Sequence, residues 1–85
     1  MLQIQWSEKA VRDLRFWNKA NPKIIERIYA LIEDVKISPF IGIGKPEPLK
    51  HKFSGFWSRR IDKEHRLVYR IEEDAILIVS CKDHY

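Results

Sequence analysis

Apolar and polar residues alternate through "LQIQW" near the start of the chain: Leu2, Ile4 and Trp6 against Gln3 and Gln5. A period of two predicts a short strand with one face buried. The period then lengthens. Val11, Leu14 and Trp17 follow at helical spacing behind Ser7, which reads as a helix N-cap, and Trp6 with Val11 fits a hydrophobic staple across that start. "NPK" signals a second helix, with Asn21 as cap and Pro22 at the first helical position. Ile24, Ile28, Leu31, Ile32 and Val35 then form one apolar stripe over about four turns. Such a stripe serves core packing.

"SPF" ends this helix, and "IGIGKPEP", with two glycines and two prolines, predicts a loop. Beyond Leu49 the period shortens again. "FWSRRI", "HRLVYRI" and "AILIVSC" read as three strands joined by polar turns at "DKE" and "EED", an antiparallel meander. The expected fold class is α+β, with two N-terminal helices packed on one face of a small antiparallel sheet. Residues 1–85 suffice for a single domain with a thin core.

Composition narrows the setting. Cys81 is the only cysteine, which excludes an intrachain disulfide and favours a reducing cytoplasm. The start lacks the pattern of a signal peptide, and no apolar run nears the roughly 18–20 residues of a membrane span. The net charge of +4 is unevenly spread. Residues 45–70 hold eight Lys/Arg against three Asp/Glu, whereas residues 71–85 hold one against four. A basic block attracts polyanions, nucleic acid foremost, although a solvated strand surface has the same composition.

Several side chains in and behind this block carry potential chemistry. Glu47 sits between Pro46 and Pro48, which stiffen the backbone around one carboxylate. Arg59 and Arg60 must point to opposite faces of a strand. On the next strand Leu67, Tyr69 and Ile71 suit the helix-facing side, which leaves Arg66, Val68 and Arg70 on the other. Guanidinium groups match phosphate in charge and geometry. Phe53, Phe56 and Trp57 lie among these cations and suit either the core or base stacking. His51, His65 and His84 show no metal-ligand spacing, so neither a metal nor another cofactor is expected.

The last strand is apolar on both faces, as in the interior of a sheet, and the chain closes on His84 and Tyr85 just behind it. An α-carboxylate on Tyr85 favours the imidazolium form of His84, a plausible proton donor beside phosphate. A frayed polar tail is the alternative for the same residues.

"GKPEPLKHKFSGFWSRRIDKEHRLVY", together with the terminal "HY", "IQWSEKA" and "SPF", resembles the YoeB-type toxins of the RelE superfamily over essentially the whole chain. The resemblance implies an endoribonuclease, an mRNA interferase that cuts messenger RNA in the ribosomal A site without metal. It implies Glu47 as general base toward the ribose 2′-hydroxyl, Arg66 as the stabiliser of charge on the phosphate, His84 as general acid and Tyr85 as an orienting residue. It places Lys50, His51, Lys52, Arg59 and Arg60 in RNA binding. The implied partners are the ribosome, mRNA, a cognate antitoxin of the YefM/Phd-like kind, and a second copy in a homodimer. Two other readings use the same basic block: a gyrase-inhibiting toxin of the same superfamily, and a plain RNA- or ribosome-binding module. Neither needs Glu47, Arg66, His84 and Tyr85 together.

Overall fold

The computed structural model describes residues 2–83. β1 (Gln3–Trp6) leads into α1 (Glu8–Ala20) and α2 (Pro22–Ile37). Ser7 caps α1 as its position predicts: its Oγ accepts the Ala10 N–H at 3.0 Å and donates to the Val79 carbonyl at 2.6 Å. The cap thereby also ties the helix to the last strand. Asn21 occupies the expected cap position of α2, but its side chain forms no capping bond. Its backbone does the work instead. The Asn21 N–H donates to Trp17 O, and its carbonyl accepts from Ile24 N. One residue thus ends α1 and starts α2, with Pro22 removing a donor that would have no helical partner.

After α2 come β2 (Glu47–Pro48), a 3₁₀ turn (His51–Phe53), β3 (Trp57–Arg60), β4 (Arg66–Ile71) and β5 (Ala75–Ser80). The five strands lie in the order β1-β5-β4-β3-β2. The α+β class holds, and β2 to β5 form an antiparallel series. The sheet as a whole is mixed, however, because β1 runs parallel to β5. Alternation along "LQIQW" gives a strand its face but not its direction. Parallel pairing requires a long crossover, which both helices and the rest of the sheet supply here.

The short β2 also departs from the loop expected for "IGIGKPEP". Glu47 lies opposite Ser58 and Pro48 opposite Trp57. At a sheet edge, the missing N–H of Pro48 can face away from the ladder. β5 is interior, flanked by β1 and β4, as its two apolar faces predict.

The core lies between the helices and one sheet face. Ile28, Leu31, Ile32 and Val35 of α2 meet Ala10 and Trp17 of α1 and Leu67, Tyr69, Ile76 and Ile78 of the sheet. Trp57 packs against this core, with its ring 4.7 Å from that of Phe40. It is therefore a core aromatic on the helix side and not a surface for stacking bases. Among the described residues, α1 and α2 both pack on this one face, and Glu47, Arg60 and Arg66 lie on the opposite one.

Candidate nucleic-acid interface

Strand register assigns the side chains to faces. Trp57 is paired with Tyr69 and Arg59 with Leu67, all on the helix side. The alternate pairs, Ser58 with Val68 and Arg60 with Arg66, therefore project from the open face. Glu47, opposite Ser58, projects there as well. Arg60 stands directly across from Arg66. Glu47 and Arg66 are two strands apart and offset by two residues, which amounts to about 10 Å across the sheet and about 7 Å along it. The Arg66 guanidinium is held on the turn before β4, where one terminal nitrogen donates to Asp62 O at 3.1 Å and to His65 O at 3.2 Å, and it makes no contact with Glu47. Glu47 is exposed, and it shares a groove of about 370 Å³ with Pro48, Leu49, Lys50, His51 and Phe53. Lys50, His51 and Lys52 are exposed beside it. The Lys52 ammonium lies 5.5 Å from the centre of the Phe53 ring, while Arg70 lies over Phe56 at 5.0 Å and pairs with Glu72 at 2.9 Å.

Arg59 does not belong to this surface, and its expected role in RNA binding is corrected. Its side chain is fully buried, because β3 turns it toward the helices. All five of its N–H donors are used. Nε donates to the Tyr69 hydroxyl at 3.2 Å. One terminal nitrogen donates to Asp34 at 2.5 Å and to Ile43 O at 3.2 Å. The other donates to Ser38 O at 2.6 Å and to Ile41 O at 3.0 Å. Tyr69 in turn donates to Pro39 O at 2.6 Å, and Asp34 accepts from Ile43 N at 3.0 Å. The hydrogen bond from Arg59 is the leading cause that holds the Asp34 carboxyl below its ordinary pKa. Burial pushes the Tyr69 hydroxyl up, against the pull of Arg59. This network pins residues 38–43, the loop that delivers Glu47. Gly42 and Gly44 make the loop possible. Their φ angles are +130° and +79°, and a Cβ at Gly42 would overlap the Asp34 carboxylate.

The segment behind β5 is held at every residue from 80 to 83. Ser80 Oγ accepts from Lys9 at 3.0 Å and donates to the Lys82 carbonyl at 3.0 Å. Cys81 N–H donates to the buried Asp13 carboxylate at 3.0 Å, and Cys81 O accepts from the Trp17 indole at 2.8 Å. Burial pushes the Cys81 thiol up to about 12, so it stays protonated and unreactive. Asp83 N–H donates to His65 Nδ1 at 2.8 Å, and Asp83 O accepts from Arg66 N at 2.8 Å. Partial burial opposes ionisation of Asp83, yet Lys82 and Lys9 keep its carboxyl below the ordinary value. A frayed tail does not describe this segment as far as Asp83. His84 and Tyr85 lie outside the described residues. Among the described residues no cluster of three or more His, Cys, Asp or Glu side chains could hold a metal ion, and no helix is long and apolar enough to cross a membrane.

Residues 6–85 match the model of the YoeB-like toxins of bacterial type II toxin–antitoxin systems. The chain belongs to this family. It is 49% identical to Toxin YoeB of Escherichia coli over 84 residues, covering 99% of this chain and all of that protein. Among solved structures, this YoeB-family chain is similar to the YoeB dimer from Staphylococcus aureus, with a TM-score of 0.92, 40% identity and coverage of 99% and 98%. It is also similar to YoeB in the heterotetrameric YoeB–YefM toxin–antitoxin complex of the same organism, with a TM-score of 0.90, 40% identity and coverage of 100% and 99%.

The open face thus carries Glu47, Arg60 and Arg66, with Lys50, His51 and Lys52 beside Glu47, and excludes Arg59. Reading the chain alone missed Asp34 and Tyr69, which hold Arg59, as well as His65 and Asp83, which hold the chain end to β4. The proximity of Arg59 and Arg60 did signal that one arginine would turn inward. The partners of the buried one lie 10 to 25 positions away, and no local pattern links them.

Proposed function

We propose that this toxin is a metal-independent endoribonuclease that cuts mRNA in the ribosomal A site, and that residues 1–85 act as one toxin domain in the cytoplasm. The observation that supports this reading is the shared face of the sheet: Glu47 and Arg66 lie on the side opposite the helices. RNA carries its own nucleophile, so the protein has only to align it, move two protons and hold charge. Glu47 takes the proton of the ribose 2′-hydroxyl. The 2′-oxygen bonds to phosphorus, Arg66 holds the charge on the phosphoryl oxygens, and the bond to the 5′-oxygen breaks. His84 protonates that leaving oxygen, and a 2′,3′-cyclic phosphate remains. Tyr85 orients the phosphate. Lys50, His51, Lys52 and Arg60 bind flanking RNA, and no cofactor takes part.

The basic face also suits a disordered acidic segment of a YefM/Phd-like antitoxin, whose binding would cover the site and neutralise the toxin. A homodimer is proposed by analogy with the similar dimer from S. aureus.

The decisive experiment is cleavage of a defined mRNA by purified protein, with and without programmed ribosomes, alongside Glu47→Ala and His84→Ala. Cuts should appear with ribosomes and fall by about 10²–10⁴-fold in either variant, the usual contribution of positioned acid–base groups. A 2′-deoxy sugar at the cut position should abolish cleavage. Absence of cleavage in both conditions would return the protein to the gyrase-inhibitor or simple-binder readings.

A further inference from the structure

His65 has no part in the chemistry above, yet it is tied to the chain end. It lies in the polar turn before β4, partly buried, with its ring edge-on to Trp17 of α1 at 4.9 Å between centroids. Its backbone N–H donates to the Asp62 carboxylate at 2.7 Å, and Nε2 lies 3.5 Å from Glu64. Nδ1 faces the Asp83 N–H at 2.8 Å. A backbone N–H can only donate, so Nδ1 must be the bare nitrogen and Nε2 must carry the proton, toward Glu64. Asp83 has a φ of +71°, the left-handed region that a residue with a Cβ enters at a cost. Both of its backbone polar groups are held from β4 and the turn before it: the N–H by His65 Nδ1 and the carbonyl by Arg66 N. Asp83 is the last residue before His84 and Tyr85.

We propose that His65 is a positioning residue for the reaction: by accepting the Asp83 N–H it holds the left-handed turn from which the acid-bearing chain end departs, in register with Arg66. The proposal rests on the nuclease reading given above. A single clamp links the group that stabilises phosphate charge to the backbone that carries the proton donor. Two neighbouring residues of β4 and its turn therefore hold the backbone of Asp83 from both sides.

Two substitutions separate the acceptor from the ring. His65→Phe keeps an aromatic edge against Trp17 and removes the acceptor. His65→Asn removes the ring and keeps an oxygen near the position of Nδ1. The test measures kcat and KM for cleavage on programmed ribosomes, hydrogen exchange at the Asp83 amide, and thermal melting of the full chain. His65→Phe should melt close to the wild type and exchange Asp83 about tenfold faster, the share of one hydrogen bond. Its kcat should fall by about 10²-fold with KM little changed, as expected when a reacting group is displaced by about 1 Å. His65→Asn should recover most of kcat and of the Asp83 protection, even if it melts earlier. A His65→Phe protein that cuts at the wild-type rate would overturn the positioning role while leaving the nuclease reading intact, as would a His65→Asn protein as slow as His65→Phe. Wild-type protein that does not cut would instead overturn the nuclease reading, and the positioning role with it.

Discussion

The loop before Glu47 and the segment behind β5 are held by different physics. The loop before Glu47 is pinned from inside. Arg59 is fully buried and spends five donors on one carboxylate, one phenol and three loop carbonyls. Removing any partner would strand a charge or a polar group where water cannot reach it. The chain end is pinned in layers. Its Cys81 bonds are buried, but the outermost link, between His65 and Asp83, lies at the surface. Water can compete for that link, and its loss leaves nothing stranded in the core. The loop should therefore hold or fail with the fold as a whole, whereas the chain end can loosen while the fold persists.

The comparison breaks most severely at Arg59. Arg59→Met should cost about 3–5 kcal/mol of stability in urea unfolding, because it leaves Asp34 and the loop carbonyls unpaired. Arg59→Lys should recover little, since one ammonium cannot serve five acceptors spread in a plane. A loss below about 1 kcal/mol, the scale of a surface ion pair, would show that the buried network is not what secures the loop.

A smaller effect is expected at the glycines. Gly42 and Gly55 both have positive φ, at +130° and +96°, but a Cβ at Gly42 meets Asp34 while one at Gly55 meets nothing within 4 Å. Gly42→Ala should cost about 1–3 kcal/mol, combining backbone strain with disturbance of the Arg59–Asp34 pair. Gly55→Ala should cost about 1–2 kcal/mol, from the left-handed backbone alone. Thermal melts of the two variants measure the difference, and equal costs would remove Asp34 from the explanation.

Acid offers the gentlest perturbation. The Asp34 carboxyl is lowered from 3.8 in the folded protein, mainly by its bond from Arg59. The stability it contributes is complete above that value and is lost as the pH falls through the lowered one. Asp34→Asn should therefore show a shallower loss of stability below pH ~4 than the wild type. Asp83 is also lowered, but its side chain is 56% exposed. Solvent screens its pairs, and Asp83→Asn should leave the acid limb of the stability curve nearly unchanged.

Much of this arrangement was legible in the residue pattern. Ser7, Pro22 and the stripe from Ile24 to Val35 announced both helices, because caps and periodicity act within a few residues of themselves. The apolar faces of "AILIVS" announced an interior strand, and "KPEP" announced a stiffened carboxylate. These are local properties, and local properties are written in order along the chain. The alternation at Arg59 and Arg60 likewise required the two side chains to part.

Which arginine turned inward was a tertiary decision. It followed from the register of β3 against β4, which placed Arg59 beside Leu67 on the helix side and Arg60 beside Arg66 on the open face. The parallel pairing of β1 with β5, the seating of residues 38–43 on one guanidinium, and the clamp between His65 and Asp83 were decided in the same way. Each joins groups between 16 and 72 positions apart. Burial and hydrogen bonding select such partners only once the chain has closed on itself. The sequence by itself determined which residues could do chemistry; the folded sheet decided which of them share a face.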